Sequence, residues 1–227
     1  MLKFLISIFI ILLLVYLVIL KYKLPTSFSL PPALGINLES NRERRQMLMA
    51  EFKDWHIERF NAIKRTPGTE GCALSHISCI ELAKNRKYPW VLIIEDDCIL
   101  NPNARTNFLK LLPFLWENRT EWDFFSGGTT FIREHRWIDK KLKVCQVKGF
   151  ASQFMLIHYE AYSKVIDLFY KQEKIPLIDV FYKDNFRIWT SVPYISGQRP
   201  TKSDISGKEE NYAELFTEAE QLLMNDL

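Results

Sequence analysis

The chain has 227 residues, 48% hydrophobic and 25% charged, with only 8 Gly and 10 Pro. That length fits one domain, or a domain and a half, and the composition excludes a disordered chain and a collagen-like repeat. The net charge of +3 is carried by Lys3, Lys21 and Lys23, since residues 1–24 hold no acid and the remaining body is neutral. A neutral body lacks the basic footprint that grips a nucleic-acid backbone, so nucleic acid is not an expected partner.

The first element in chain order is Phe4–Leu20, an uncharged run whose only polar groups are Ser7 and the Tyr16 hydroxyl. As a helix it would span about 25 Å at 1.5 Å per residue. Lys21 and Lys23 can snorkel to lengthen it toward the hydrocarbon thickness of a bilayer. A cleaved signal peptide is the rival reading, but no small-x-small cleavage pattern follows. Residues 1–23 are therefore expected to be a single-pass membrane anchor, and residues 24–32 (LPTSFSLPP in Leu24–Pro32) a linker rich in Pro and Ser. Lysines flank the run on both sides, so charge alone leaves its orientation nearly tied.

Residues 33–227 form the expected folded body. Ala33–Leu38 reads as an apolar strand, and Ser40 as the cap of a helix over Asn41–Lys53. Arg42, Arg44 and Arg45 fall in the first turns of that helix, where cations oppose the macrodipole. Such a cluster is either a solvated face or is held there to meet an anion. Thr66–Gly71 has loop chemistry and opens onto a helix over Cys72–Lys84, with Ala73, Ile77, Ile80 and Ala83 on one face. Trp90–Ile94 is apolar at every position, which predicts a strand buried on both faces inside a parallel sheet.

Further along, Asn107–Trp116 reads as a helix that Pro113 kinks or ends. Trp122–Phe125, Phe150–Ile157 and Trp189–Ile195 read as strands, and Ala161–Tyr170 and Glu209–Met224 as amphipathic helices. The alternation predicts an α/β layered fold. Cys72, Cys79, Cys98 and Cys145 show no C-x-x-C pair and read as small buried hydrophobes. Asn118-Arg119-Thr120 is a glycosylation acceptor pattern, expected once by chance at this length.

The residues that point to chemistry are Glu95-Asp96-Asp97, directly after the apolar strand. In extended chain Glu95 and Asp97 point to one side and Asp96 to the other. Carboxylates this close raise one another's pKa unless a cation compensates. Open α/β sheets bind ligands just beyond the carboxyl ends of their strands. A hard divalent cation takes oxygen ligands and keeps substrate phosphates as the rest of its shell. Position and chemistry agree on a metal–diphosphate site, against the plainer reading of a solvated acidic turn.

The stretch Gly68–Leu100, GTEGCALSHISCIELAKNRKYPWVLIIEDDCIL, resembles the central signature of glycosyltransferase family 25. That family includes lipopolysaccharide β-galactosyltransferases and collagen hydroxylysine galactosyltransferases. The resemblance continues through Ile36-Asn37-Leu38 with Arg42 and Arg45, Trp122-Asp123, Gly149–Ile157, Pro176–Asp179, Pro193, Gln198 and Ser203-Asp204-Ile205. It implies a GT-A-like nucleotide-sugar transferase fold, a Rossmann-like mixed sheet flanked by helices. It also implies a divalent metal, Mn2+ first among candidates, and inverting transfer of galactose from UDP-galactose to a glycan or hydroxylysine-type protein acceptor.

Carried onto this sequence, the resemblance makes Glu95, Asp96 and Asp97 the metal motif, with Asp97 the direct ligand. Asp179 matches the catalytic base, with a supporting residue or helix cap as the alternative. Asn37, Arg42, Arg45, Ser75 and His76 fall on the donor side, although His76 equally suits bracing of the acidic loop. Gln198, Ser203 and Asp204 fall on the acceptor side or are structural. The anchor departs from the soluble bacterial members of that family. It resembles the type II arrangement of Golgi or endoplasmic-reticulum enzymes, or a viral or protist relative, with the catalytic domain expected on the lumenal or exterior side. Two other classes compete: a glycan-binding pseudoenzyme of the same fold, and a metal-dependent phosphohydrolase. The phosphohydrolase wants further His or Asp ligands at short spacing, and none is visible.

Overall fold

The computed structural model describes residues 29–202, 207 and 209–227. The expected anchor, most of the linker, Ser203 and Asp204 lie outside the described residues. Among the described residues no helix is long and apolar enough to cross a membrane.

Eight of the described strands form one mixed sheet: β1 (Ala33–Asn37), β2 (Ile57–Asn61), β3 (Trp90–Glu95), β5 (Phe124–Ser126), β6 (Thr130–Asp139), β7 (Val144–Phe150), β8 (Phe154–His158) and β9 (Ile188–Ser191). Their order across the sheet is β2-β1-β3-β8-β5-β9-β7-β6. Helices α1 (Arg42–Glu51) and α3 (Ala104–Glu117) cover one face. Helices α2 (Gly68–Asn85), α4 (Tyr159–Tyr170), α5 (Ile178–Asn185) and α6 (Ala213–Asn225) cover the other. Two short pairings complete the fold, β4 (Cys98–Leu100) with β10 (Ser196–Gln198), and β11 (Thr201–Lys202) with β12 (Glu209–Glu210).

Strand β3 shows why its residues are apolar throughout. Val91 and Ile93 pack with Leu34, Ile36, Ala73 and Ile77 on the α2 face. Leu92 and Ile94 pack with Leu48, Phe52, Phe108 and Leu112 on the other. Each fully buried Val, Leu or Ile favours the folded state by about 1.5–3 kcal/mol, so this segment belongs at the centre of the sheet. The expected all-parallel surroundings need correcting. β3 runs parallel to β1 and antiparallel to β8. Two covered faces, rather than strand direction, dictate the apolar run.

Other boundaries differ for local reasons. Asn41, not Ser40, caps α1, its side-chain oxygen accepting from the Arg44 amide at 3.2 Å. Helix α2 begins four residues early at Gly68, with Glu70 in its first turn where the dipole favours an anion. Gly71 is required there, because a Cβ would lie 2.2 Å from the Ile63 carbonyl oxygen. Helix α3 continues through Pro113 to Glu117. Burial of Phe108, Leu111, Leu112, Leu115 and Trp116 on both sides of the proline outweighs a helix-interior cost of about 3 kcal/mol. The apolar run 150–157 divides, β7 ending at Phe150 and β8 starting at Phe154. The last helix starts at Ala213, since Glu209 and Glu210 pair with Lys202 and Thr201.

All four cysteines are free; Cys79, Cys98 and Cys145 are buried and Cys72 is half-buried. The Asn118 amide donates to the Phe114 carbonyl at 2.8 Å, closing the end of α3.

Candidate active site

The site forms where parallel strands β1 and β3 end side by side, Ile36 in register with Glu95. Strand alternation then sorts the acids. Glu95 continues the face of Val91 and Ile93 and meets α2, where His76 Nε2 lies 3.1 Å from its carboxylate. The Ser152 hydroxyl, from the break between β7 and β8, donates to the same Glu95 oxygen at 2.6 Å. Asp96 turns to the other face. It accepts from the Asn37 amide at 2.6 Å and contacts the Arg44 guanidinium of α1.

Asp97 sits in the turn between β3 and β4. Arg44 Nη2 approaches one of its oxygens to 3.0 Å, and the Gln198 amide donates to that oxygen at 3.5 Å. The turn is fixed from behind: the Arg199 amide donates to the Asp97 carbonyl at 2.8 Å. Glu51 accepts from the Leu100 amide at 2.9 Å and pairs with Arg199 at 3.1 Å.

Two clefts meet at this turn. A smaller one, about 150 Å³, is lined by Asn37, Arg44, Lys64, Arg65 and Ser75 together with the acids. A larger one, about 520 Å³, is lined by Thr130, Phe131, Phe150, Asp179, Gln198 and Tyr212. Cys72, Glu95 and Asp97 line both. Phe131, 57% exposed and with φ at +48°, stands at the rim of the larger cleft.

Burial and then the charge of Glu95 push the Asp97 carboxyl up to about 7, against the pull of Arg44. Burial acts upward on Glu95 as well, but the hydrogen bonds from His76 and Ser152 and the charge of Arg44 hold its carboxyl below the ordinary value. Asp179 lies in the first turn of α5, and burial followed by the charge of Glu95 raises its carboxyl. One oxygen of Asp97 and one of Asp179 are buried without a hydrogen-bond partner among the described residues. Both residues line the larger cleft. Hard carboxylate donors, one oxygen left without a donor, and mutual repulsion together fit a divalent cation of the Mg2+ or Mn2+ type.

The sequence-predicted residues separate into three groups. Asn37, Glu95, Asp96, Asp97, Asp179 and Gln198 come together around the clefts. Ser75 and His76 lie at the same place but act inward. The Ser75 hydroxyl donates to the Gly71 carbonyl and accepts from the Ile63 amide, while His76 is fully buried between Glu95 and Tyr182. Arg42 and Arg45 do not reach the acids: Arg42 is exposed, and Arg45 lies 4.0 Å from Glu39. The arginine at the acidic turn is Arg44. Its spacing to buried Leu48 was the available signal, since positions four apart share a helix face. Ser152, Cys72 and Tyr182 were also missed, each brought in from a different element.

A mixed α/β sheet with an acidic turn at its strand ends, open to two clefts, has the general form of a ligand-binding α/β protein. Residues 64–175 match the model of glycosyltransferase family 25 (LPS biosynthesis protein), so the resemblance carried by Gly68–Leu100 is shown, and a glycosyl transfer role has its support there. No curated protein matches the chain. Among solved structures, A197 from STIV is similar at 13% identity with a TM-score of 0.51, over 80% of this chain and 93% of that one, a likeness of fold. A glycosyltransferase involved in glycosylation of the major capsid of PBCV-1 aligns at 9% identity and TM-score 0.36, over 67% of this chain and 74% of that one. Mannose-1-phosphate geranyltransferase from Thermus thermophilus aligns at 9% and 0.40, over 71% and 59%.

Proposed function

We propose that the chain is a metal-dependent inverting glycosyltransferase of GT-A-like fold. Its donor would be a UDP-hexose, UDP-galactose first, and its acceptor a hydroxyl of a glycan or a hydroxylysine-type side chain. The observation that carries this reading is the convergence of two chemically different clefts on Asp97. One offers Arg44, Lys64 and Arg65 to a diphosphate. The other offers the aromatic surfaces of Phe131, Phe150 and Tyr212 to a sugar, with Asp179 in its wall.

Asp97 and Glu95 would hold the divalent cation, Mn2+ in this proposal, which when bound supplies Lewis-acid neutralisation of the leaving diphosphate. Arg44 fixes Asp96 and Asp97 and adds positive charge on the donor side. His76 and Ser152 hold the Glu95 carboxylate in one orientation. Asp179 takes the proton from the attacking acceptor hydroxyl, and a carboxyl raised above its ordinary value is the better base near neutral pH. The Phe4–Leu20 run adds a single-pass type II anchor, with the body lumenal or exterior.

The test is UDP release from a panel of UDP-sugars, with and without Mn2+, and with simple glycosides added as acceptors. The expected result is release that EDTA abolishes, Mn2+ restores and a glycoside accelerates. Absence of release from every UDP-sugar in the presence of metal overturns the proposal, and UDP-sugar binding without turnover would favour the pseudoenzyme.

A further inference from the structure

The junction between the two clefts holds a second kind of donor set, a thiol and an imidazole beside Glu95, the carboxylate that the transfer site also claims. Cys72 and His76 are four residues apart on α2 and so share one face of the helix, which points them toward the end of β3. The Cys72 sulfur, a His76 ring nitrogen and a Glu95 carboxylate oxygen all lie within 4.8 Å of one another. We propose that Cys72, His76 and Glu95 form a binding site for a soft divalent cation, Zn2+ in particular, at the point where the clefts meet.

Ligand type separates this site from the oxygen donors at Asp97. A thiolate and an imidazole select zinc over magnesium or manganese. Three protein ligands with one open position is a familiar zinc arrangement. Tetrahedral zinc at bond lengths of about 2.0–2.3 Å needs its ligand atoms roughly 3.3–3.8 Å apart. The His76–Glu95 separation of 3.1 Å is already close to that range. The sulfur belongs to a half-buried side chain bordering open space in both clefts, which gives it freedom to close and gives the ion an entry path.

The surroundings support the imidazole as a ligand. His76 is 0% exposed, and its other nitrogen, Nδ1, faces the buried Tyr182 hydroxyl at 3.4 Å. A histidine that binds a metal through one nitrogen normally has its other nitrogen held by such a partner. On binding, the ring proton moves from Nε2 to Nδ1, where the Tyr182 oxygen accepts it, and Nε2 turns its lone pair to zinc. The Cys72 S–H bond breaks, its proton leaves to solvent, and the thiolate completes the set. No electrons are exchanged. Occupancy diverts Glu95 from its bond with Ser152, so zinc would oppose catalysis; that consequence alone rests on the proposed transferase reading.

Cobalt is the probe, because it fills zinc sites and reports its ligands by absorption. Titrating the metal-free full chain with Co2+ should give a thiolate-to-cobalt charge-transfer band and tetrahedral visible bands at one equivalent, all bleached by Zn2+. Cys72→Ser should abolish the charge-transfer band. Zn2+ should also slow alkylation of Cys72 in the unaltered protein at least tenfold, read by peptide mass spectrometry, and Mg2+ should not. A cobalt complex without the thiolate band, a band that persists in folded Cys72→Ser, or an alkylation rate indifferent to Zn2+ overturns the site. In the UDP-release assay, Cys72→Ser should raise the inhibitory zinc concentration at least tenfold. Loss of that effect with the band intact overturns the inhibitory consequence and leaves the site standing.

Discussion

Arg44 of α1 bridges two neighbouring carboxylates, its Nη2 contacting Asp96 and lying 3.0 Å from Asp97, while Asp96 is held from the other side by Asn37 at 2.6 Å. The guanidinium and Asp96 are both buried. Such a pair costs desolvation to form, yet removing one partner leaves an uncompensated buried charge. Arg44→Met should therefore destabilise the protein by about 3–5 kcal/mol in urea denaturation. Adding Asp96→Asn to that background should recover part of the loss, because the stranded charge is removed. A single mutant within about 1 kcal/mol of the parent would mean that the pair behaves as a surface ion pair.

Asp97 should respond in the opposite way. Burial and Glu95 push its carboxyl up to about 7, so the ionised form is disfavoured in the folded state. Asp97→Asn relieves that repulsion and keeps the shape. The variant should melt at or above the parent temperature near pH 8 while losing Mn2+-dependent UDP release. Near-normal release at saturating donor would remove Asp97 from the metal site.

A pH effect remote from the site comes from His158. It is buried, its Nε2 donates to the Trp122 carbonyl at 2.9 Å, and its Nδ1 has no partner among the described residues. Burial lowers its pKa from the ordinary 6.5. The unfolded chain then binds the proton more readily than the native one. Stability is complete above about 6.5 and falls as pH drops below it toward the lower folded value. His158→Gln keeps a donor near the Trp122 carbonyl without titrating. It should flatten the decline in melting temperature between pH 7.5 and 5; an unchanged slope would assign that decline to other groups.

These residues also show where a sequence is readable and where it is not. The apolar strand 90–94 and its acidic end were legible because alternation alone sorts Glu95 and Asp96 to opposite faces. The choice among Arg42, Arg44 and Arg45 needed the buried face of α1, which Leu48 marks. The β6–β7 hairpin was not legible: TFIREHRWID carries its charges because β6 is an edge strand with much of its length exposed. Helix α5 was missed because Leu177 occupies its N-cap position and offers no side-chain acceptor. Ser152 reaches Glu95 only because the sheet places residue 152 beside residue 95, a pairing no local pattern encodes.

The anchor expected at Phe4–Leu20 should be uncleaved, with the body lumenal or exterior. In sealed vesicles the C-terminus should resist added protease until detergent is present. Digestion from the cytosolic side would reverse the orientation.

Asp179 carries the most demanding prediction. It lies in the first turn of α5, one carboxylate oxygen is buried with no partner among the described residues, and it faces the larger cleft rather than the smaller one. A general base contributes about 10²–10⁴-fold in rate, whereas a metal ligand also supports donor binding. Asp179→Asn should thus lower kcat at least about a hundredfold with little change in the donor KM. The first turn of α5 favours an anion, so the same substitution should change stability by no more than about 1 kcal/mol, which separates chemistry from folding. Joint loss of donor affinity and metal dependence would instead make Asp179 a metal ligand. Unchanged kinetics with a lowered melting temperature would make it a structural carboxylate at a helix start.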